Sequence, residues 1–95
     1  MAHARIEIER VKDDTFRVTI TEGASHTAHT VTVDAADYQK LTGGTVTKEE
    51  LVRRSFEFLL ERESKESILS SFSLAVISRY FPEYGREISR RMRGN

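Results

Sequence analysis

The sequence contains no cysteine, and this absence excludes several kinds of site at once. Disulfide frameworks, thiolate zinc sites, iron–sulfur clusters and cysteine nucleophiles all require that side chain. The chain also lacks net charge, because its 15 basic residues balance its 15 acidic ones. Since 38% of the residues are apolar, this composition is that of a folded protein and not of a disordered one.

Long apolar runs are missing as well. The longest is Leu74-Ala75-Val76-Ile77, whereas a membrane-spanning helix needs roughly 20 predominantly apolar residues. The first residues do not form the basic and apolar segments of a secretory signal. We therefore expect a cytoplasmic protein with no membrane partner, and the length predicts one domain over residues 1–95.

The first third of the chain alternates apolar and polar residues. The apolar set occupies every second position of three runs, at Ile6, Ile8, Phe16, Val18, Ile20, Val31 and Val33. A period of two gives a strand one apolar face and one polar face. Polar connections such as Lys12-Asp13-Asp14-Thr15 favour turns between the runs. The pattern predicts a three-stranded antiparallel meander, with strands at about 4–11, 15–22 and 27–33.

A short helical turn is predicted directly after the third strand. Asp34 is a suitable N-cap, because its carboxylate can accept a hydrogen bond from the backbone at the start of a helix. This turn would pack Tyr38 and Leu41 under the sheet before the chain enters the loop Thr42-Gly43-Gly44-Thr45.

The strongest helix signal begins at Thr47, which has the spacing of a capping box with Glu50. A helix over about 48–62 follows, and its apolar residues cover roughly half of the circumference, more than the ~100° stripe of one core-facing side. This breadth indicates a helix held between the sheet and another layer, or one that also contacts a second subunit.

Two further helices are predicted in the C-terminal third. The first spans about 65–80, and the serines at its centre favour a break near 72–73, although one continuous helix is the alternative. Pro82 separates it from a last helix over about 83–93. The expected architecture is α+β, an N-terminal three-stranded antiparallel β-meander packed against about three C-terminal helices.

The sequence indicates no catalytic, cofactor-binding or metal-binding residue. His26 and His29 are three residues apart, so a strand sends them to opposite faces, where they cannot share a metal ion. No serine stands in a G-x-S-x-G motif. Gly43-Gly44 precede a helix N-terminus, but the lysine of a phosphate-binding motif is missing, and Glu49 and Glu50 already bring negative charge there. We therefore expect a protein that is not an enzyme and needs no cofactor.

Three arginines of the last predicted helix share one face, because Arg86, Arg90 and Arg93 are spaced by four and then by three. Such a stripe can pair with phosphates, which makes weak nucleic-acid binding one hypothesis. The alternative is structural, since the helix dipole favours cations at a C-terminus and Glu87 can pair with Arg91. The zero net charge favours the structural interpretation.

A cluster of aromatic residues surrounds Pro82, where Tyr80, Phe81 and Tyr84 fall within five positions. One interpretation is a packed corner between two helices, with Phe81 buried and both tyrosine hydroxyls at its rim. The other is a contact site for a partner protein, because Tyr and Arg are common in interface hot spots and Arg79 adjoins Tyr80.

Four stretches of the C-terminal half carry a family pattern. They are Leu41-Thr42-Gly43-Gly44, Ser55-Phe56-Glu57-Phe58-Leu59-Leu60-Glu61-Arg62-Glu63, Ser67-Ile68-Leu69 and Val76-Ile77-Ser78-Arg79-Tyr80-Phe81-Pro82-Glu83-Tyr84. In these stretches the chain resembles a family of small bacterial proteins of uncharacterised function. The resemblance implies a bacterial cytoplasmic protein, and it brings no catalytic residue and no ligand.

Together these patterns predict a small non-catalytic protein-binding module that contacts a partner protein or a second copy of itself. The candidate contact residues are Arg79, Tyr80, Tyr84, Arg86, Arg90 and Arg93. Weak nucleic-acid binding through the C-terminal arginine face is the alternative.

Overall fold

A four-stranded mixed sheet forms one layer of the protein, which a computed structural model describes over residues 4–92. Three antiparallel strands come first, Arg5–Lys12 (β1), Thr15–Glu22 (β2) and Ser25–Thr32 (β3). A short strand, Ser71–Ser73 (β4), pairs in parallel with β3, so the strand order is β1-β2-β3-β4. The predicted antiparallel meander is therefore confirmed, and it is extended by one strand.

Helices form the second layer. They are Ala35–Thr42 (α1), Lys48–Leu60 (α2), Ile77–Tyr80 (α3) and Tyr84–Met92 (α4), with 3₁₀ turns at Lys65–Ser67 and Leu74–Val76. The helical layer covers the sheet face that carries the buried residues Phe16, Val18 and Ile20. On the opposite face Glu7, Arg17 and other polar side chains are exposed. This arrangement confirms the α+β class.

The segment predicted as a helix over about 65–80 is interrupted near 72–73, as its serines favour, and β4 occupies the break. After the break, Leu74–Val76 and α3 are helical as predicted. Before the break the prediction is wrong, because only the 3₁₀ turn Lys65–Ser67 is helical there. The segment at the break is extended because it pairs with the edge of β3, where the backbone N–H of Thr30 donates to the carbonyl of Ser70 at 2.8 Å. In the strand, Phe72 lies opposite the buried Val31 of β3.

Both predicted helix caps are present. The Asp34 carboxylate accepts from the backbone N–H of Ala36 at 3.0 Å, and the Thr47 hydroxyl accepts from that of Glu50 at 3.1 Å. The Glu50 carboxylate binds Arg54 Nε at 2.7 Å, so its reciprocal bond in the predicted capping box is replaced by an i,i+4 ion pair.

The first helix lies against the last one, and its Tyr38 and Leu41 pack against the core. The Ser89 hydroxyl of α4 donates to the carbonyl of Leu41 at 3.3 Å, and a side chain at Gly85 would lie 3.9 Å from Leu41 Cδ2. At the end of α1, Gly43 adopts a left-handed φ of 69°, a conformation that favours glycine. Its N–H donates to the carbonyl of Gln39 at 2.8 Å and closes the helix.

The broad apolar arc of α2 arises because the helix packs on two sides. Phe56 faces the sheet, where its ring centroid lies 5.6 Å from that of His29 and 5.9 Å from that of Phe72. Phe58 points toward the C-terminal corner, with its centroid 5.3 Å from that of Tyr84 and 5.9 Å from that of Phe81. The arc is therefore accounted for by contacts with the sheet on one side and with the C-terminal corner of the same helical layer on the other.

His29 joins the sheet to the segment that leads into β4. Its side chain is buried, and Nδ1 lies 2.8 Å from the carbonyl of Leu69 while Nε2 lies 2.8 Å from the Thr27 hydroxyl. Because a carbonyl can only accept, Nδ1 carries the proton and Nε2 accepts from Thr27 in the neutral ring. His26 occupies the opposite, exposed face, as its odd spacing from His29 predicts.

We expect His29→Leu to lower the free energy of unfolding by about 1–3 kcal/mol, because the Leu69 carbonyl and the Thr27 hydroxyl lose a partner in a partly buried place. Urea denaturation measures the change. The matched control is His26→Leu, which alters an exposed histidine three residues away and should leave stability nearly unchanged. Equal losses in the two variants would contradict this role for His29.

Candidate functional site

An apolar groove opens where the segment between residues 67 and 81 folds back against α2. Its volume is about 190 Å³. Among the apolar side chains that line the groove are Leu59, Ile68, Leu69, Phe72, Ile77 and Tyr80. Three of them, Leu59, Ile68 and Ile77, are buried and form its floor.

Two large apolar side chains at the rim of this groove are exposed to solvent. Leu69 is 47% exposed and Tyr80 is 66% exposed, while the floor beneath them is almost inaccessible to water. Val11, on β1, is the other large apolar residue with comparable exposure in the described chain. Two neighbouring exposed apolar residues over a buried floor are typical of a contact site, since single ones are common on any surface.

The size of the groove limits what it can hold. A dry cavity of about 150 Å³ accommodates a benzene ring, whereas sites for drug-sized ligands range from about 300 to 1,000 Å³. At about 190 Å³ the groove fits one large apolar side chain and is too small for most cofactors.

A carboxylate without an ionic partner lines the groove. Within residues 50–92, every other acidic side chain forms an ion pair: Glu50, Glu57, Glu61, Glu66, Glu83 and Glu87. Glu63 is half-buried and has neither an ion pair nor a side-chain hydrogen bond to residues 4–92. A carboxylate in that position favours a cationic group at the mouth of the groove.

Lys65 cannot supply this charge, because it is already engaged on the sheet side. Its side chain is 4% exposed, with Nζ 2.6 Å from Glu66 Oε2 and 3.1 Å from Glu22 Oε1. The hydrogen bond to Glu66 raises the pKa of the Lys65 ammonium against the opposing effect of burial. The lysine thereby anchors the 3₁₀ turn that precedes the groove to the end of β2.

The predicted aromatic corner divides into one accessible and one buried tyrosine. Tyr80 stands on the groove rim, and Arg79 beside it is exposed and has no ion pair to the described residues. Tyr84 is 1% exposed, and its hydroxyl lies 2.6 Å from that of Ser55, which in turn donates to the carbonyl of Leu51. Burial raises the pKa of the Tyr84 phenol. The placement of its hydroxyl at the rim is therefore wrong, and Tyr84 belongs to the core.

The predicted arginine face is only partly free. Arg86 is exposed and makes no ion pair with residues 4–92, whereas Arg90 Nη2 lies 2.6 and 2.8 Å from the two oxygens of Glu87. Arg93 lies outside the described residues. Arg91 is also engaged, with Nη2 2.7 Å from Glu61 Oε1. Of the two described members of the face, neither Arg86 nor Arg90 lines the groove, and Glu87 neutralises Arg90.

Of the residues that line the groove, the sequence predicted Tyr80 as a contact residue and missed the others, among them Leu69 and Glu63. Leu69 fell inside the predicted helix, where its exposure could not be read. Glu63 stands among several acids, and only the folded chain shows that its neighbours find arginine or lysine partners while it does not. Both residues lie in the stretches that carry the family pattern, at 55–63 and 67–69, but the pattern alone does not identify them as contact residues.

The other sites considered from sequence gain no supporting geometry. A wider hollow of about 790 Å³ lies between α4 and the loop after α1, and Lys40 is the one titratable side chain on its described walls. Among residues 4–92, no three His, Asp or Glu side chains come together as metal ligands. Over the same range, every helix is too short or too polar to cross a membrane.

Comparison with known proteins gave no match, whether with models of protein families, with curated proteins or with solved structures.

We expect the buried hydroxyl of Tyr84 to stabilise the fold. Tyr84→Phe keeps the ring and removes the bond to Ser55, so the free energy of unfolding should fall by about 1 kcal/mol in urea denaturation. Tyr80→Phe, at the exposed tyrosine of the same corner, is the control and should have little effect. The reverse order of the two effects would contradict the assignment.

The Glu87–Arg90 pair should make stability depend on pH in the acid range. The hydrogen bond to Arg90 lowers the pKa of Glu87 below its ordinary value of 4.5. The stabilisation is therefore complete above that value and disappears as the pH falls through the lowered pKa. Wild type should exceed Glu87→Gln in free energy of unfolding at neutral pH, and the difference should vanish in acid. High salt at neutral pH should also reduce it, and a difference that persists unchanged in acid would refute the pair's contribution.

Proposed function

We propose that this chain is a small non-catalytic protein-binding module of the bacterial cytoplasm, and that its apolar groove takes one large apolar side chain of a protein partner. The observation that carries the proposal is the exposed pair Leu69 and Tyr80 over a buried apolar floor. Covering such a rim removes apolar surface from water, which is the main favourable contribution in most protein associations.

The charge of the groove defines the partner more closely. Glu63 would be partly desolvated when a side chain fills the groove, and an unpaired buried charge is unfavourable. A partner segment with an Arg or Lys close to its apolar anchor avoids this penalty by pairing with the carboxylate. The favoured occupant is therefore a large aliphatic or aromatic residue with a basic neighbour.

The position of the family pattern supports the same site. The stretches 55–63, 67–69 and 76–84, on which the resemblance to small bacterial proteins rests, supply Leu59, Ile68, Leu69, Ile77 and Tyr80 of the groove. We propose that the pattern belongs to a family and marks this groove.

Weak nucleic-acid binding through the C-terminal arginines has less support. The guanidinium of Arg90 is occupied by Glu87, and the chain has no net charge to attract a polyanion. Catalysis also finds no support in the groove, whose one titratable carboxylate, Glu63, has no second charged or nucleophilic group bonded to it in the described chain.

Selection from a display library of short random peptides tests the groove. We expect the enriched peptides to share a large apolar residue beside Arg or Lys, and we expect their binding to shift the backbone amide resonances of Leu69 and Tyr80. Leu69→Asp should weaken binding about tenfold or more, because a carboxylate at the rim repels the anchor side chain and reduces the apolar contact.

The matched control is Val11→Asp, which introduces the same charge at an equally exposed apolar residue on β1. It should leave peptide binding unchanged. Denaturation curves establish that both variants fold, and Tyr80→Ala provides a second rim variant without a new charge. Peptides that bind Leu69→Asp and Tyr80→Ala as well as wild type would refute the groove as the binding site.

A further inference from the structure

The chain itself carries a segment with the chemistry that the groove requires. Tyr80 is a large ring with 66% of its surface exposed, and Arg79 is the basic residue next to it. Within residues 50–92, Arg79 and Arg86 are the two arginines that make neither an ion pair nor a hydrogen bond through their side chains. The cation of Arg79 and the carboxylate of Glu63 are therefore both without a partner among the described residues.

We propose that the partner is a second copy of this chain. In a two-fold symmetric dimer, Tyr80 of each copy enters the apolar groove of the other, and Arg79 of each copy pairs with Glu63 of the other. This inference rests on the proposed function, because it assumes that the groove binds a protein side chain.

Symmetry favours this arrangement. Tyr80 belongs to the rim of the groove, so the inserted side chain and the receiving surface lie on the same patch of the molecule. A patch that is complementary to itself forms an isologous contact in which every interaction occurs twice. Such a contact closes on itself and stops at two copies, whereas insertion of a distant segment would continue into a filament.

The other exposed apolar residue is a poorer occupant. Val11 is followed by Lys12 and thus also offers an apolar and a basic side chain. Valine fills less of a 190 Å³ hollow than a tyrosine ring does. Asp13 and Asp14 come next in the chain and are exposed, so they would bring two negative charges toward Glu63. Charge and size therefore both favour Arg79–Tyr80.

Sedimentation equilibrium of the 95-residue chain tests the dimer. We expect a weak dimer with a dissociation constant between about 10 μM and about 1 mM. Over this range of concentrations, the molar mass should rise from 10.9 kDa toward twice that value. Tyr80→Ala should remove the rise. Added salt should weaken the dimer, since the two ion pairs lie at the edge of the contact and are screened.

A charge exchange identifies the contact. Arg79→Glu and Glu63→Arg should each weaken dimerisation about tenfold or more, because each places like charges together twice. The double variant restores opposite charges in the reversed order and should recover most of the lost affinity. Arg86→Glu is the matched control, since it makes the same change at the other free arginine and should leave the dimer intact.

Two results would overturn the inference. One is a molar mass that stays at 10.9 kDa over the whole concentration range. The other is a dimer that withstands Tyr80→Ala and both single charge reversals, because it would use a different surface. In either case, peptides that still bind wild type and lose affinity for Leu69→Asp leave the protein-binding function standing, so the two failures can be told apart.

Discussion

The path of the chain into β4 depends on the hydrogen bond between the His29 imidazole and the backbone of Leu69. Nδ1 of His29 lies 2.8 Å from the carbonyl oxygen of Leu69. At the next residue, the carbonyl of Ser70 accepts a hydrogen bond from the backbone N–H of Thr30 in β3. The buried Lys65 holds the start of the same segment to Glu22 at 3.1 Å. These three attachments lay the chain along the sheet edge in an extended form. In this form Ile68 is buried in the core while its neighbour Leu69 is exposed.

The second element that shapes the groove is the double-sided packing of α2. One side meets the sheet through Phe56 and the other meets the C-terminal corner through Phe58. The guanidinium carbon of Arg62 lies 3.6 Å from the centroid of the Phe58 ring, and Arg62 Nε lies 3.1 Å from Glu83. This contact fixes the distance between α2 and the chain beyond α3. Leu59 is left between the two sides and becomes part of the groove floor.

The sequence predicts the elements that rest on local chemistry and misses those that rest on pairing at a distance. The meander follows from a period of two, and the caps at Asp34 and Thr47 follow from short-range hydrogen bonds. β4 has only three residues, and an alternation of Ser, Phe and Ser is too short to outweigh the apolar spacing that suggests a helix. Among the candidate residues, Tyr80 and Tyr84 look alike in sequence, and only the contact with Ser55 separates a core residue from an exposed one.

The fold shows which charges pair with each other, and the sequence does not. A net charge of zero argues against a polyanionic partner, yet it does not say which charges cancel each other. In the fold, the acidic side chains around α2 and α4 form ion pairs with neighbouring arginines. Glu63 forms no such pair within the described residues and lies beside the apolar surface of the groove. In water such a carboxylate is stable alone, but a partner that covers the groove removes that water. Under the proposed function, a partner that covers the groove must replace this lost solvation, and a basic side chain does so better than a neutral or an acidic one.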